Sequence, residues 1–377
     1  MYDCIVVGAG PAGGAAAYHL AKRGVSVLVL EKELLPRYKP CGGGVSPQVA
    51  QWFDFDFSPA ISIKTTTIQY TWNMDDPVVV DMDDIEPIWM VRRDVFDHFL
   101  VQQAQRQGAE LQMNTAVTGI EFKGDRWHVN TTHGSVEAHY LIAADGAKGP
   151  MARWLGFKQR KRTLAGALEI ETPATDAHAA FFEFGMVQNG YIWNFPKADG
   201  YSLGIGTFQS GGKKKQDFKA ILAQYATMFG VDWADVTQQH GHPICLWNGH
   251  QDLHTQQAVL AGDTACVVDP FTAEGIRPSI FTGIKAADAI HGALGGDTQA
   301  LERYSQIVQE ELGQDFVWAK RLADVFYRVP QVAYKVGVKQ SSGTKRMVRL
   351  LSGELRYRDV IHRAIAKLGG NVIPGLG

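Results

Sequence analysis

The chain has 377 residues, 45% hydrophobic and 20% charged, with a formal net charge of −2. This is ordinary globular composition, long enough for two or three units around substantial cores, and its charge balance argues against a nucleic-acid partner. Four scattered cysteines (Cys4, Cys41, Cys245, Cys266) include no CxxC pair, which predicts a reducing compartment and no disulfide scaffold. No basic leader precedes the first apolar run, and no apolar run approaches the ~18 residues of a spanning helix, so a cytoplasmic protein is expected.

The first element is YDCIVV, Tyr2–Val7, a short β-branched run that reads as a buried strand. GAGPAGG follows, then a helical AAAYHLAKRG ending at Gly24, then a second buried strand, Val25–Glu31. Gly8, Gly10 and Gly13 have the G-x-G-x-x-G spacing, with Ala12 beside them. Gly8 permits a tight turn, Gly10 lets a pyrophosphate approach the backbone, and Gly13 lets the helix pack on the strand. The helix N-terminus offers free N–H groups and a positive dipole end to phosphates. Glu31 closes the second strand about 20 residues on, where an acid binds a ribose hydroxyl. Strand, glycines, helix, strand and acid together predict a dinucleotide-binding unit, with NAD and FAD both open at this point.

Next comes KPCGGGVSP, Lys39–Pro47, where a thiol sits against three glycines. Three consecutive glycines are entropically costly, so the bare backbone must approach something closely. The runs SIKTTTIQYTW and PVVVDM, and later AGALEIET, AAFFEFG, GYIWNFPK and YSLGIGTF, alternate apolar and polar residues. They predict an antiparallel sheet with one face packed and the other lining a site. In GYIWNFPK, Gly190–Lys197, alternation places Tyr191, Trp193 and Phe195 on one face. That face is either packed core or the wall of an apolar pocket. GGKKKQDFK, Gly211–Lys219, reads as a solvated turn and helix start. His240, His242, His250, His254 and Cys245 have spacing that zinc could use, but convergence is not expected, and no metal is assigned. From Thr298 the chain turns helical. From Lys335 onward nine Lys and Arg face two acids, a basic region suited to anionic lipid or to ordinary solvated helices.

Three separated motifs carry a family resemblance. YLIAADGAKG ends a strand at Asp145-Gly146, AVLAGDTACVVDPFTAEGI ends another at Gly262-Asp263, and VRRDVFDHFL contains R-x-x-F-D-x-x-L through Arg93, Phe96, Asp97 and Leu100. With the glycine motif they make about residues 1–300 resemble the flavoproteins built on the para-hydroxybenzoate hydroxylase plan. That resemblance implies FAD, held by Gly8, Gly10, Ala12, Gly13, Glu31, Lys32, Cys41, Gly42, Gly43, Arg93, Asp145, Gly262, Asp263, Gly275 and Ile276. Asp263 would reach the ribityl chain, Arg93 would lie near the FAD, and the Lys39–Pro47 loop would lie beside the isoalloxazine. YxWxFPK and KPCGG further resemble the geranylgeranyl reductase branch. It implies an α/β (α+β) fold: a Rossmann-like FAD-binding domain (1–61, 92–165, 245–297), an inserted antiparallel β-sheet substrate domain (62–91, 166–244) and a helical C-terminal region (298–377).

The implied chemistry is saturation of a C=C bond in a long apolar isoprenoid. Tyr191, Trp193, Phe195 and Pro196 are expected against substrate. Tyr191 and Trp193 would stabilise developing positive charge, and Cys41 would donate a proton or relay one; the alternative for Cys41 is a small buried apolar residue. No second G-x-G-x-x-G serves a nicotinamide, so the reductant is either transiently bound NAD(P)H or an electron-transfer protein such as ferredoxin. An oxygen-dependent hydroxylase, a flavin halogenase and a non-catalytic carrier of isoprenoid or flavin are the competing functions.

Overall fold

The computed structural model describes residues 1–157, 163–173, 178–208 and 216–361. The opening unit is β1 (Tyr2–Val7), α1 (Pro11–Ala21) and β2 (Val27–Leu30), with β1 and β2 parallel and Val6 beside Val29. Strands covered on both faces need continuous apolar runs, which is why these segments do not alternate. Then follow β3 (Gly44–Val45), β4 (Ile63–Thr65), β5 (Thr67–Trp72), β6 (Asp75–Asp81), β7 (Ile88–Met90) and α2 (Arg93–Arg106). The middle of the chain holds β8 (Glu110–Gln112), β9 (Val117–Lys123), β10 (Arg126–Thr131), β11 (Gly134–Ala143) and α3 (Met151–Trp154). β12 (Thr163–Pro173), β13 (Ala180–Phe184), β14 (Gly190–Lys197), β15 (Gly200–Thr207), α4 (Phe218–Ala226) and β16 (His240–Leu246) come next. The chain continues through β17 (His254–Thr255), β18 (Ala258–Leu260), α5 (Ile276–Leu294), α6 (Ala300–Val308), α7 (Gln314–Arg328), α8 (Pro330–Ala333) and α9 (Ser341–Ser352).

These strands make three sheets. The first has the order β17-β18-β11-β1-β2-β8, with β10 and β9 continuing from β11. Helices α1 and α5 cross closely beside it, because Gly283 of α5 meets the Ala12 carbonyl where a Cβ would overlap it. The second has the order β16-β12-β15-β14-β13-β5-β6. It is antiparallel except where β5 pairs in parallel with β13, Tyr70 beside Phe182. That pairing corrects the expectation of a wholly antiparallel sheet: β5 and β13 are far apart in sequence and joined through the first sheet, so no hairpin dictates their direction. The third sheet, β3-β7-β4, fastens the end of the Cys41 loop.

Helices α7 and α9 close one side of the second sheet, burying Phe316, Phe326 and Val348 in one core with Tyr70, Phe182 and Phe184. The predicted helix start in Gly211–Lys219 is α4, capped by Asp217 Oδ1, which accepts the Ala220 N–H at 3.1 Å; residues 211–215 lie outside the described residues, as does the basic region beyond residue 361. Among the described residues no helix is long and apolar enough to cross a membrane.

One cysteine expectation is corrected. Cys245 and Cys266 form a disulfide. A bridge between Leu246 and Val268 aligns the end of β16 with the segment after Gly262-Asp263 and brings the two thiols together. Nothing in a 21-residue separation announces this pairing.

Candidate cofactor and substrate cavity

The glycine turn is built for close approach. Gly8 has φ +105°, and a Cβ there would overlap the Ala144 carbonyl. Gly13 packs on the Gly8 carbonyl in the same way. At Gly10 the reverse holds: a Cβ would meet nothing nearer than Arg37 Nη2 at 4.0 Å. The space before the α1 N-terminus is therefore open to a non-protein group. Glu31 lies buried under this turn, where Oε2 accepts the Ala9 N–H at 2.8 Å and Oε1 the Glu33 N–H at 3.1 Å.

Arg93 opens α2 and is buried. Its Nε and Nη2 donate to the two oxygens of Asp97 at 2.8 and 2.9 Å, and Arg37 Nη1 donates to Oδ2 at 2.9 Å. Burial pushes the Asp97 carboxyl up, but Arg93 and Arg37 outweigh it and hold the group below the usual range. Cys41 lies beside Arg93, and its Sγ accepts the Gly43 N–H at 3.4 Å. Lys39 is lowered by burial first and by Arg93 second. Asp145 braces the far side: it accepts the Thr264 hydroxyl at 3.0 Å and the Met151 N–H at 2.9 Å, tying the Asp145-Gly146 turn to the Gly262-Asp263 turn. Helix α5 starts at Ile276 behind Gly275, with its N-terminus at the cavity.

The other end of the cavity is aromatic. Tyr191, Trp193 and Phe195 share the face of β14 that alternation predicts. Gly206 and Gly204 of β15 stand opposite Tyr191 and Trp193. A Cβ at Gly204 would overlap the indole, so that glycine is what lets the ring lie across β15. The Trp193 Nε1–H donates to Ser202 Oγ at 3.2 Å, and the Tyr191 hydroxyl donates to the Thr272 carbonyl at 2.5 Å. Phe182 packs between them, 5.5 Å from the Tyr191 ring and 5.2 Å from Phe195.

The Cys41 loop lies on this wall. A Cβ on Gly42 would come within 2.6 Å of Phe195 Cδ2. Gly43 has φ +73° and faces the Val91 carbonyl. The bare backbone is thus required by the protein's own aromatic strand as well as by any bound ring. Lys197 holds the loop from below, donating to the Gly42 carbonyl at 2.6 Å and to the Val91 carbonyl at 2.9 Å.

One continuous cavity joins both ends. Gly10, Ala12, Cys41, Gly42, Gly43, Arg93, Gly262, Asp263, Gly275 and Ile276 line it together with Tyr191, Trp193 and Phe195. Gly8, Gly13, Glu31 and Asp145 support the lining from behind. Two expected residues are not brought there. Lys32 faces solvent with its ammonium 4.0 Å from Glu33, and Pro196 alternates onto the opposite face of β14. Four lining or supporting residues escaped sequence reasoning: Lys39, Glu169, Lys197 and His242. Lys39 and Lys197 carried a signal, as the first residue of KPCGG and the last of YxWxFPK, and His242 was read only against a metal.

Several features of the cavity fit FAD. The opening at Gly10 and the two helix N-termini suit an anionic pyrophosphate and an electron-rich ring. His242 lines the cavity with Nε2 buried and unpartnered, and burial holds its pKa down to about 4, so a neutral imidazole awaits a bonding group there.

The fold is that of a dinucleotide-binding protein whose cavity continues into an aromatic wall. Residues 1–311 match the FAD binding domain family. A digeranylgeranylglycerophospholipid reductase of Methanocella arvoryzae is 30% identical over 361 residues, covering 89% of this chain and 88% of that protein. The fold is shared with a geranylgeranyl bacteriochlorophyll reductase-like protein from Thermoplasma acidophilum (TM-score 0.78, 23% identity, 86% of this chain and 87% of that one). It is also shared with a flavin-dependent brominase (TM-score 0.75, 19% identity, 97% and 99%). The chain belongs to the geranylgeranyl reductase family of FAD-dependent oxidoreductases.

Proposed function

We propose that the protein saturates C=C bonds in the geranylgeranyl chains of an isoprenoid lipid. The observation that carries this reading is the single cavity in which the cofactor motifs meet the apolar wall of Tyr191, Trp193 and Phe195. Relatives named for digeranylgeranylglycerophospholipid reduction support it.

FAD, once reduced, supplies hydride chemistry at this cavity. The α1 N-terminus with Gly10 and Ala12 would hold its pyrophosphate and Asp263 the ribityl chain, while Glu31, which already accepts the Ala9 and Glu33 N–H groups, would use its remaining lone pairs for a ribose hydroxyl at the edge of the site. Arg93, Gly42, Gly43, Gly275 and Ile276 would enclose the ring. The aromatic wall aligns the prenyl chain and excludes water. Tyr191 keeps its ring face toward the cavity because its hydroxyl is fixed on Thr272. Trp193 is held by Ser202. Those ring faces stabilise positive charge that develops on the alkene. The reductant is NAD(P)H or a reduced electron-transfer protein such as ferredoxin.

Substrate of this kind resides in lipid, and the C-terminal helices offer a docking surface. Val329, Val332 and Val336 are exposed at 46, 58 and 68%, with Lys335 exposed among them. Apolar side chains beside basic ones suit an anionic lipid surface. The test of the function is anaerobic reoxidation of the reduced protein by a prenyl lipid. Turnover of an aromatic substrate with oxygen instead would favour the hydroxylase or halogenase reading.

A further inference from the structure

Behind the aromatic wall lies a carboxyl group that the cofactor motifs do not use. Glu169 of β12 is in register with Gly204 of β15 and, across it, with Trp193 of β14. It is 1% exposed, yet it lines the same cavity as Cys41 and Trp193. Its Oε1 accepts the Ser202 hydroxyl at 2.5 Å, while Oε2 is buried with no well-aligned hydrogen bond, the Tyr38 hydroxyl and the Cys41 N–H being the donors close to the carboxyl. A buried carboxylate with a bare oxygen is strongly disfavoured, whereas the neutral acid carries its proton there. Burial is the main cause that raises its pKa to about 7; Ser202 and Lys197 pull in the other direction.

The charged and titratable groups around it come from every neighbouring element. They are Lys197 on β14, Glu171 on β12, Arg92 before α2, Tyr38 and Cys41 after β2, and His240 opposite on β16. Lys197 is committed to the Gly42 and Val91 carbonyls. Glu274, also raised to about 7 by burial, accepts the Arg277 N–H at Oε1 at 2.7 Å, with the Arg277 guanidinium 4.0 Å from Oε2. The Arg277 cation therefore favours the charged form of Glu274, which makes it the poorer proton source of the two.

We propose that Glu169 is the acid of the site, delivering its proton to the alkene, a role the sequence assigned to Cys41. The inference rests on the proposed prenyl reduction. In the step, the Glu169 O–H bond breaks and the alkene π pair forms a C–H bond with that proton. The neighbouring carbon takes a hydride, with its electron pair, from a two-electron donor of the reduced-flavin class. Glu169 is left as carboxylate and regains a proton from water. Ser202 keeps the acid beside Trp193, so acid and cation-stabilising ring move as one unit.

The test compares wild type, Glu169→Gln and Ser202→Ala holoenzymes. Glutamine keeps the acceptor for Ser202 but has no acidic proton; Ser202→Ala keeps the acid and cuts its link to the indole. Infrared difference titration of substrate-free protein should show protonated carboxyl absorbance lost near pH 7 in wild type, only the Glu274 share of it in Glu169→Gln, and a transition moved to higher pH in Ser202→Ala, where the hydroxyl that lowers the Glu169 pKa is gone. Anaerobic reoxidation by digeranylgeranylglycerophospholipid in detergent should fall above pH 7 in wild type. At pH 6 Glu169→Gln should be slower by ~10²–10⁴-fold and should lack that alkaline limb. A competent wild type with Glu169→Gln equally fast, or with its limb intact, overturns the acid role alone. A wild type inert toward the lipid overturns the proposed function and the acid role with it.

Discussion

Lys197 is 2% exposed, and its ammonium is the donor for two carbonyls on two different segments. Burial lowers its pKa to about 8. The folded value lies below the ordinary ~10.4, so between those pH values the unfolded chain binds the proton more tightly. Stability therefore rises with pH across that window, and the penalty of burying the charge is fully present below pH 8. Lys197→Met removes that pH dependence. It also strands the Gly42 and Val91 carbonyls, each a loss of about 1–3 kcal/mol. At pH 7 the expected outcome is a lower denaturant midpoint, set by those two lost bonds against relief of the buried charge, and a Cys41 loop that exchanges its amides faster. An unchanged midpoint with unchanged exchange would mean that the loop is held by its glycines alone.

At the scale of elements, the second sheet depends on a glycine opposite an aromatic. Gly204→Ala places a Cβ in the Trp193 ring, so the indole must leave Ser202. Overpacking of this kind typically costs about 1–3 kcal/mol. The protein should still fold and stay yellow, with a raised KM for prenyl lipid; an unaltered KM would remove Trp193 from the substrate wall. This arrangement also marks what was legible in the chain. The β1–α1–β2 unit could be read because its glycine spacing, apolar runs and closing acid are all local. The Tyr191–Trp193–Phe195 face could be read because alternation is local too. The line Glu169–Gly204–Trp193 could not, since it depends on register across three strands, which no single segment encodes. The β5–β13 pairing and the Cys245–Cys266 bond were hidden for the same reason: distant segments meet through the fold. Pro196 follows Phe195 on β14, and a neighbour on a strand points the other way; Lys32 lies past the end of β2 and turns to solvent.

For the whole molecule, the C-terminal helices are part of the cavity rather than an appendage. Leu351 lines it, the Ser46 hydroxyl bonds the Ser352 carbonyl, and Tyr357 donates to Asp269 Oδ2 at 2.7 Å. Removing residues 345–377 would therefore open the core, and surface exchanges are the sound test of lipid docking. Basic residues near an anionic surface contribute about 1 kcal/mol each, screened by salt. Lys335→Glu with Lys345→Glu should weaken binding to phosphatidylserine vesicles more than tenfold at low salt while the flavin colour stays; equal sedimentation of variant and wild type would contradict docking through this face. The most direct test of the central claim is product analysis after anaerobic mixing. Dithionite-reduced holoprotein and digeranylgeranylglycerophospholipid are combined without oxygen, and the flavin absorbance and lipid mass are followed together. The account predicts return of the yellow absorbance with a gain of two hydrogens per flavin in the lipid. Flavin that stays bleached until oxygen enters, with lipid mass unchanged, would contradict it.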